Sequence, residues 1–349
     1  MSRIYTNPFQ WGRPVSGASY VPRPEAQEHI NTAMEKQLHL IITGLRGAGK
    51  TSMIKHMLGQ SRIPSAYLDL SLVVCRRDLI NLLLDALEKN FAQVKSNDRF
   101  KALRQEEQES ALAPVIDFMY ETIKSSNKKF TLAWDEFQYL VKFKDNLIPE
   151  LRENLRERRG VTHIFVSHRE DIMREIFDDH LTPFFYHREH LFLKELDTKA
   201  FEKFLTQKFR QMGLSDFDLA GAILKFTGSQ PQLTQQFAHA LAQLWLQGTS
   251  TRLMENTTKK MITEQQALYG ALWDSFGLNE RRLFLGLAAG YSRPTELGFI
   301  KKFKLSATST AHNTVLKLLR EGWLVNRDEG YHIYDPLFLK WLEQSRGTA

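Results

Sequence analysis

The sequence has little of what marks exported, membrane-spanning or zinc-binding proteins. Its 349 residues include one cysteine, Cys75, which excludes an intrachain disulfide framework and a cysteine-rich zinc site. No stretch of eighteen apolar residues runs free of charge, the first thirty residues carry no continuous apolar segment, and no helix carries the zinc pattern H-E-x-x-H. We therefore expect a cytoplasmic protein without a membrane-spanning segment.

Repeats of twenty to fifty residues and low-complexity tracts are also missing, so the architecture must follow from single elements. Hydrophobic residues make up 42% of the chain and aromatic residues 11%, which is enough for the cores of two or three domains. The 47 Lys and Arg outnumber the 40 Asp and Glu, and the net charge of +7 mildly favours a polyanionic partner.

The first two thirds of the chain alternate between short apolar runs and helical stretches. Residues 1–24 are rich in Pro, Gly and Ser and have no period, which indicates an extended lead-in. Residues 25–196 predict a mostly parallel sheet covered by helices, an α/β core. The predicted strands of this core are 38–43, 66–70, 130–134, 161–166 and 190–194.

After residue 196 the strand pattern disappears. Residues 197–263 carry only helical periodicity and predict an all-helical segment. Residues 264–349 end in three predicted helices, at 279–289, 294–303 and 306–320, followed by two short strands around 328–330. Three helices followed by a hairpin predict a winged-helix domain.

A glycine-rich turn lies between the first predicted strand and the next helix, and it matches G-x-x-x-x-G-K-[ST]. Glycines let backbone N–H groups converge on phosphate at a helix N-terminus, Lys50 supplies a cation to the outer phosphates, and the Thr51 hydroxyl suits magnesium. We therefore predict binding of ATP with Mg²⁺, the alternative being an ordinary glycine turn. The predicted nucleotide-binding residues are Gly44, Leu45, Arg46, Gly47, Ala48, Gly49, Lys50, Thr51 and Ser52.

Two carboxylates, Asp135 and Glu136, follow the apolar run 130–134. A phosphate cradle needs an acidic residue at the end of a neighbouring strand. We predict that Asp135 holds the magnesium shell together with Thr51, and that Glu136 polarises the attacking water. The alternative is that the pair caps a helix start, where Asp and Glu are also favoured.

Three further polar residues are candidates for catalysis. Ser167 and Arg169 follow the run 161–166, where either one could sense the γ-phosphate or simply cap a helix. Arg188 precedes the last predicted strand and could act as an arginine finger on the nucleotide of an adjacent subunit. A solvated basic residue is the alternative for Arg188.

With these motifs in place, the chain resembles the AAA+-like ATPases of the STAND class, especially the archaeal-type ATPases, over nearly its whole length. The run from Tyr20 to Glu25, Tyr-Val-Pro-Arg-Pro-Glu, is similar to the nucleotide-base motif of that family and departs from it at Pro22 and Pro24. The run Phe-Thr-Gly-Ser-Gln-Pro that ends at Pro231 resembles the lid motif. The resemblance implies that 197–263 is a helical lid, that Pro231 approaches the nucleotide, and that ATP occupancy controls assembly or partner contact.

The winged helix leaves two functions open. The predicted recognition helix would display small polar groups and follows three lysines, which favours double-stranded DNA. Its many apolar positions and the acidic pair at 328–329 favour a protein-protein or lid-stabilising role instead. We thus expect an ATP-hydrolysing switch that forms a homo-oligomer or binds a regulatory partner. The alternative is a nucleotide-switched protein scaffold whose winged helix does not bind DNA. A small-molecule kinase is disfavoured because nothing in the sequence resembles an acceptor pocket. The residues concerned are Ser309, Thr310, Asn313 and Lys317 with Lys301, Lys302 and Lys304.

Overall fold

A computed structural model describes residues 5–105, 112–143, 146–156, 158–178, 184–185, 188–215, 218–327 and 330–345. The chain forms two compact units: the core unit, Pro14–Lys194, and the helical unit, which combines Met1–Arg13 with Glu195–Ala349. The predicted lead-in is therefore divided between the units, and the predicted lid and winged helix both lie in the helical unit.

The core unit is built on a five-stranded sheet in which every pairing is parallel, in the order β2-β3-β4-β1-β5. This confirms the predicted α/β class. Strands β3 and β4 are buried along their whole length, which explains why their sequences read as continuous apolar runs. The last strand begins two residues earlier than predicted. The strands are β1 (His39–Thr43), β2 (Ser65–Asp69), β3 (Phe130–Asp135), β4 (Val161–Val166) and β5 (Arg188–Phe192).

Helices pack on both faces of this sheet, because side chains alternate along each strand. In β1, Leu40 and Ile42 join the apolar cluster formed with α1 and α2, whereas Ile41 points to the larger cluster formed with α3, α5, α6 and α7. The helices of the core unit are α1 (Pro24–Lys36), α2 (Lys50–Gln60), α3 (Arg76–Asn90), α4 (Asp98–Gln105), α5 (Leu112–Ser125), α6 (Leu147–Leu155) and α7 (Glu170–Phe177).

The centre of the sheet contains a fully buried histidine, His163 of β4. The Trp134 indole N–H donates to its Nδ1 at 3.0 Å, so the ring proton lies on Nε2, which is 2.8 Å from the Tyr120 hydroxyl. Burial lowers the pKa of His163 well below its usual value, and the nearby His39 lowers it further. The imidazole is therefore neutral in the folded protein.

Acid should weaken the fold through His163. Below pH 6.5 the imidazole takes up a proton in the unfolded chain but not in the folded one, so stability is present above that pH and is lost as the pH falls. Between pH 7 and pH 5 the unfolded-state pKa of 6.5 sets the largest cost of this one group at about 2 kcal/mol of unfolding free energy. Urea titrations at both pH values would measure it. His163→Gln, which does not titrate but can still accept from Trp134, should lose correspondingly less; an equal loss in both proteins would contradict the argument.

The helical unit contains helices α8 to α15 and a two-stranded hairpin. The predicted winged helix is confirmed. The predicted boundary at 263/264 falls inside α11, which is continuous, and the residues after the hairpin form a helix that was not predicted. The hairpin tip, 328–329, lies outside the described residues. The elements are α8 (Thr198–Gln211), α9 (Leu219–Thr227), α10 (Pro231–Leu246), α11 (Leu253–Ser275), α12 (Leu278–Ala288), α13 (Leu297–Lys302), α14 (Thr308–Arg320), β6 (Leu324–Arg327), β7 (Gly330–Ile333) and α15 (Pro336–Ser345).

The N-terminal residues of the helical unit are held by specific contacts. Asn7 Nδ2 donates to the backbone oxygen of His239, and Trp11 Nε1 donates to its ring Nδ1. The Phe9 ring lies 4.8 Å from that of Phe209.

Within the described part of the chain, no helix is both long enough and apolar enough to cross a membrane.

Candidate nucleotide site

The glycine-rich turn forms the link between β1 and α2, as predicted. Gly47 and Gly49 have φ of 76° and 90°, a left-handed conformation that glycine adopts without a side-chain clash. Gly44 is needed for a different reason: a Cβ there would lie 2.8 Å from the backbone oxygen of Leu193, just after β5. The turn at 44–49, called the cradle below, is therefore packed directly against the end of that strand.

Lys50 begins α2 and is buried, with its ammonium turned back into the cradle. Its Nζ donates to the backbone oxygens of Gly44 at 2.8 Å and Leu45 at 2.9 Å. Burial lowers the pKa of Lys50 to about 8, although the carboxylates of Glu136 and Asp135 act in the opposite direction. The ammonium is thus only partly stabilised by the protein, and the phosphates of a nucleotide would be better partners for it.

Thr51 and Asp135 meet at the carboxyl edge of the sheet. Asp135 Oδ2 accepts one hydrogen bond from Thr51 Oγ1 at 2.6 Å and another from the Tyr67 hydroxyl at 2.8 Å. Burial raises the pKa of Asp135, and these two hydrogen bonds oppose that rise. One expectation was wrong: β3 is not a neighbour of β1, since β4 lies between them. The two residues still meet because α2, rather than β1, carries the threonine.

This pair fits a magnesium ion. A hydroxyl and a carboxylate are oxygen ligands of the kind that Mg²⁺ prefers, and Mg²⁺ normally takes only one or two protein ligands, with the rest from phosphates and water. The described residues contain no cluster of three or more His, Cys, Asp or Glu side chains that could hold a metal alone. Thr51 and Asp135 would therefore hold the ion together with the nucleotide.

Glu136 follows β3 in a left-handed conformation, with φ of 58° and ψ of 41°. His168 Nδ1 lies 2.9 Å from its Oε2, and Gln138 Nε2 donates to the same oxygen. Burial alone would raise the pKa of Glu136, but these hydrogen bonds and the charges of His168 and Lys50 outweigh it and lower the pKa. The carboxylate is therefore ionised and held in one orientation, as a general base requires.

Ser167 and Arg169 follow β4, and Ser167 is linked to Gln138. Ser167 is fully buried, and its hydroxyl donates to Gln138 Oε1 and accepts from the backbone N–H of Arg169 at 2.9 Å. The Arg169 guanidinium forms a bidentate pair with Asp171, at 2.9 and 2.7 Å. Ser167 thus supports Gln138, and a phosphate-sensing role for either residue stays a prediction.

The structure does not bring Arg188 to the cradle of its own chain. Arg188 pairs in register with His39 at the start of β1, whereas the cradle follows the other end of that strand. Its guanidinium donates to the backbone oxygen of Phe185 at 2.8 Å and to Asp178 at 3.4 Å. Its role toward an adjacent subunit stays a prediction. Pro231 begins α10 in the helical unit, and its nucleotide contact likewise stays a prediction.

Sequence reasoning missed four residues of this region. Tyr67, Gln138 and His168 reach the carboxylates from separate elements, and no local pattern marks them. Arg23 lies within the run that is similar to the nucleotide-base motif, which was a signal, but the motif does not predict its contact with the cradle. Arg23 donates to the backbone oxygen of Ala48 at 2.6 Å. The predicted residue Ser52 accepts through Oγ from the backbone N–H of Val15 at 3.1 Å.

Two parts of the chain match families of known proteins. Residues 20–237 match the family described as an ATPase domain predominantly from Archaea, and residues 267–344 match a probable winged helix domain. No curated protein sequence matches the chain significantly.

Several solved structures share the fold. A Walker-type ATPase of Pyrococcus abyssi is 18% identical, with 93% of this chain and 96% of that chain covered and a TM-score of 0.73. The ORC2 protein of Aeropyrum pernix is 12% identical, with coverage of 95% and 97% and a TM-score of 0.57. The ORC1 protein of the same organism, in complex with DNA, is 10% identical, with coverage of 94% for both chains and a TM-score of 0.53. The family match spans more than half of the chain, and it includes the cradle and both carboxylates: the protein belongs to the ATPase family found predominantly in Archaea and is an ATPase.

Proposed function

We propose that this ATPase is a molecular switch of the AAA+ and STAND type, which binds ATP with Mg²⁺ and whose nucleotide state controls self-assembly and engagement of double-stranded DNA. The observation that carries the proposal is the group of Lys50, the Thr51–Asp135 pair and the ionised Glu136 at one edge of one sheet. This group supports binding and hydrolysis, and the winged helix supports an output.

Each residue has a distinct task in hydrolysis. Lys50 leaves its carbonyl partners and binds the outer phosphates. Thr51 and Asp135 would hold Mg²⁺, which would supply positive charge to offset the charge of the phosphates. Among the described residues, the two hydrogen-bond partners of the Glu136 carboxylate both bind Oε2, which leaves Oε1 to accept the proton of the attacking water. His168 and Gln138 hold that carboxylate in place.

Double-stranded DNA is the proposed output ligand because a basic, polar surface surrounds α14. Lys301, Lys302 and Lys304 are exposed just before this helix, and Ser309 and Asn313 are exposed on it. Lysines bind phosphates, and small polar side chains can reach base edges. The ORC1 protein of Aeropyrum pernix, whose structure holds DNA, shares the fold.

A protein partner is the second candidate, and specific contacts favour it. Lys317, which was predicted to face DNA, donates to Glu280 and lies 3.9 Å from Glu321, so its charge is largely offset. Lys302 donates to the Tyr291 hydroxyl at 2.7 Å. Leu316, on the same helix, is 41% exposed, which suits an apolar protein contact better than DNA.

The three lysines allow the candidates to be separated. If DNA is bound, replacing Lys301, Lys302 and Lys304 together by Gln should weaken duplex binding and reduce the slope of log affinity against log salt by about 2.7, or 0.9 for each phosphate contact. Fluorescence anisotropy of a labelled duplex at several salt concentrations, with ATP and Mg²⁺ present, would measure it. The control replaces exposed lysines outside the winged helix by Gln, for the same change in net charge: Lys199, Lys203 and Lys259.

Light scattering on the same samples tests the switch itself. The mass of the protein should change between nucleotide-free, ADP-bound and ATP-bound states, and duplex affinity should change with it. If the duplex binds neither the native protein nor the lysine variant, while the mass of the native protein still changes with ATP, the protein-scaffold function is the correct one. Identical mass and identical DNA affinity in all three states would remove the switch and leave a plain ATPase.

A further inference from the structure

The chain passes between the two units at two places, one beside the cradle and one beside the segment that contacts α2. One passage is between Arg13 and Pro14, and the other is between Lys194 and Glu195. A change that a nucleotide causes in the core unit can reach the helical unit through these two connections. Contacts beside the two passages therefore indicate how the nucleotide site is linked to the rest of the chain.

The second passage follows directly from the strand that supports the cradle. Leu193 donates its backbone N–H to the backbone oxygen of Thr43 at 2.7 Å. A Cβ on Gly44 would lie 2.8 Å from the Leu193 oxygen and 3.2 Å from its Cβ, so the two backbones are as close as glycine permits. Because Lys50 donates to the oxygen of Gly44, the ammonium and residue 193 both lie against the same glycine.

Arg23 adds a second link at the other end of the cradle. Its Nη2 donates to the backbone oxygen of Ala48 at 2.6 Å, and its Nη1 donates to the backbone oxygen of Lys194. Lys194 is the last residue of the core unit. One planar guanidinium therefore joins the cradle to the passage, and its fixed fork serves the two carbonyl groups through two separate nitrogen atoms.

The first passage is tied to the same region. Val15, two residues after Arg13, donates its backbone N–H to Ser52 Oγ at 3.1 Å, and Ser52 lies in the first turn of α2. Tyr20, further along this segment, stacks on His56 of α2 with ring centroids 4.1 Å apart. Both connections are thus anchored to the cradle or to the helix that follows it.

We propose that Arg23 is a positioning residue that transmits occupancy of the phosphate cradle to the passage at Lys194–Glu195. When phosphates bind the cradle amides and draw Lys50 away from its carbonyl partners, the peptides of the cradle reorient. The guanidinium carries that change from Ala48 to Lys194. The inference rests on the proposed function, since it names the residue through which the nucleotide would act as a switch.

Hydrogen exchange at the passage tests the role of Arg23. We expect ATP with Mg²⁺ to change the exchange of peptides that cover residues 190–200 in the native protein. Arg23→Gln should still bind ATP, weakened by about tenfold or less for the lost hydrogen bonds. At ATP concentrations that saturate both the native protein and Arg23→Gln, the change in hydrogen exchange at residues 190–200 should be absent from Arg23→Gln. Arg23→Lys, which keeps a charged donor but loses the rigid two-nitrogen fork, should show an intermediate response. Arg62→Gln removes an exposed arginine of the same unit and should behave as the native protein.

Each outcome decides the matter. An unchanged response in Arg23→Gln at saturating ATP would overturn the role of Arg23 and leave the proposed switch intact. If ATP binds the native protein but does not change hydrogen exchange at the passage, both the role of Arg23 and this route of switching are overturned. The assignment of the protein as an ATPase would not be affected. If thermal unfolding shows that Arg23→Gln is not folded, Arg23→Lys decides alone: a full native response contradicts the proposal, and a reduced one supports it.

Discussion

Glu136→Gln should lower the kcat of ATP hydrolysis by about 10²- to 10⁴-fold, the usual contribution of a positioned general base. The amide keeps the shape of the side chain and still accepts hydrogen bonds from His168 and Gln138, but it cannot take a proton from water. ATP affinity should stay within a few-fold of the native value because Lys50, Thr51 and Asp135 are untouched. A phosphate-release assay for kcat and titration with a fluorescent ATP analogue for affinity would measure the two effects separately.

Glu189→Gln is the matched control for this change. Glu189 lies in β5 of the same unit, is 44% exposed, and pairs with His29 instead of facing the cradle. The control should keep native kcat. If Glu136→Gln also keeps it, the base lies elsewhere, and the ionised state and fixed orientation of Glu136 serve only the local structure.

Lys50→Ala should act one step earlier, at binding. A hydrogen bond from a charged donor contributes about 1.5–3 kcal/mol, so ATP affinity should fall by about tenfold to a hundredfold. The carbonyl groups of Gly44 and Leu45 also lose their donor, which loosens the cradle. Isothermal titration with ATP and Mg²⁺ would measure the affinity. Hydrolysis at low ATP should fall by at least the same factor.

Lys55→Ala separates a specific effect from the loss of a nearby positive charge. Lys55 lies one turn further along α2, is exposed, and sits 4.2 Å from the Tyr67 ring centroid. Its removal should change ATP affinity much less than the removal of Lys50. Equal losses in the two variants would mean that the cradle attracts ATP through general charge, and that the buried position of Lys50 has no special role.

The cradle could be predicted because its chemistry is local. The spacing from Gly44 to Thr51 requires a strand before it and a helix after it, and both elements can be recognised within twenty residues. Asp135 and Glu136 could be predicted for the same reason, as carboxylates at the end of an apolar run. In each case the residues that carry the chemistry and the elements that position them are neighbours in sequence.

The rest of the site depends on contacts that are distant in sequence. The insertion of β4 between β1 and β3 is a matter of strand order, which hydrophobic periodicity does not encode. Tyr67 reaches Asp135 across 68 residues, and His168 reaches Glu136 across 32, so neither contact leaves a local pattern. The arginine-finger role of Arg188 was predicted from its position before a strand. Only its register with β1 shows that it lies at the end of the sheet opposite the cradle.

The winged helix shows the same division between local and distant signals. The order of its helices and hairpin follows from periodicity and turn residues, and the predicted bounds differ from the observed ones by a few residues. Lys317 looked available to DNA, because nothing in the sequence shows that Glu280, 37 residues earlier, lies within hydrogen-bonding distance. The charge that a surface offers to DNA depends on which side chains are paired in the folded molecule. A count of lysines along the sequence therefore overestimates it.

The single cysteine has a practical consequence. Cys75 is exposed at the start of α3 in the core unit, so a maleimide dye can be attached at one defined position of the native sequence. A second cysteine at exposed Leu268 of α11, in the helical unit, would give a donor and acceptor pair for single-molecule fluorescence without removing any natural thiol. The distance between the two dyes during a single ATP turnover could then be measured in real time.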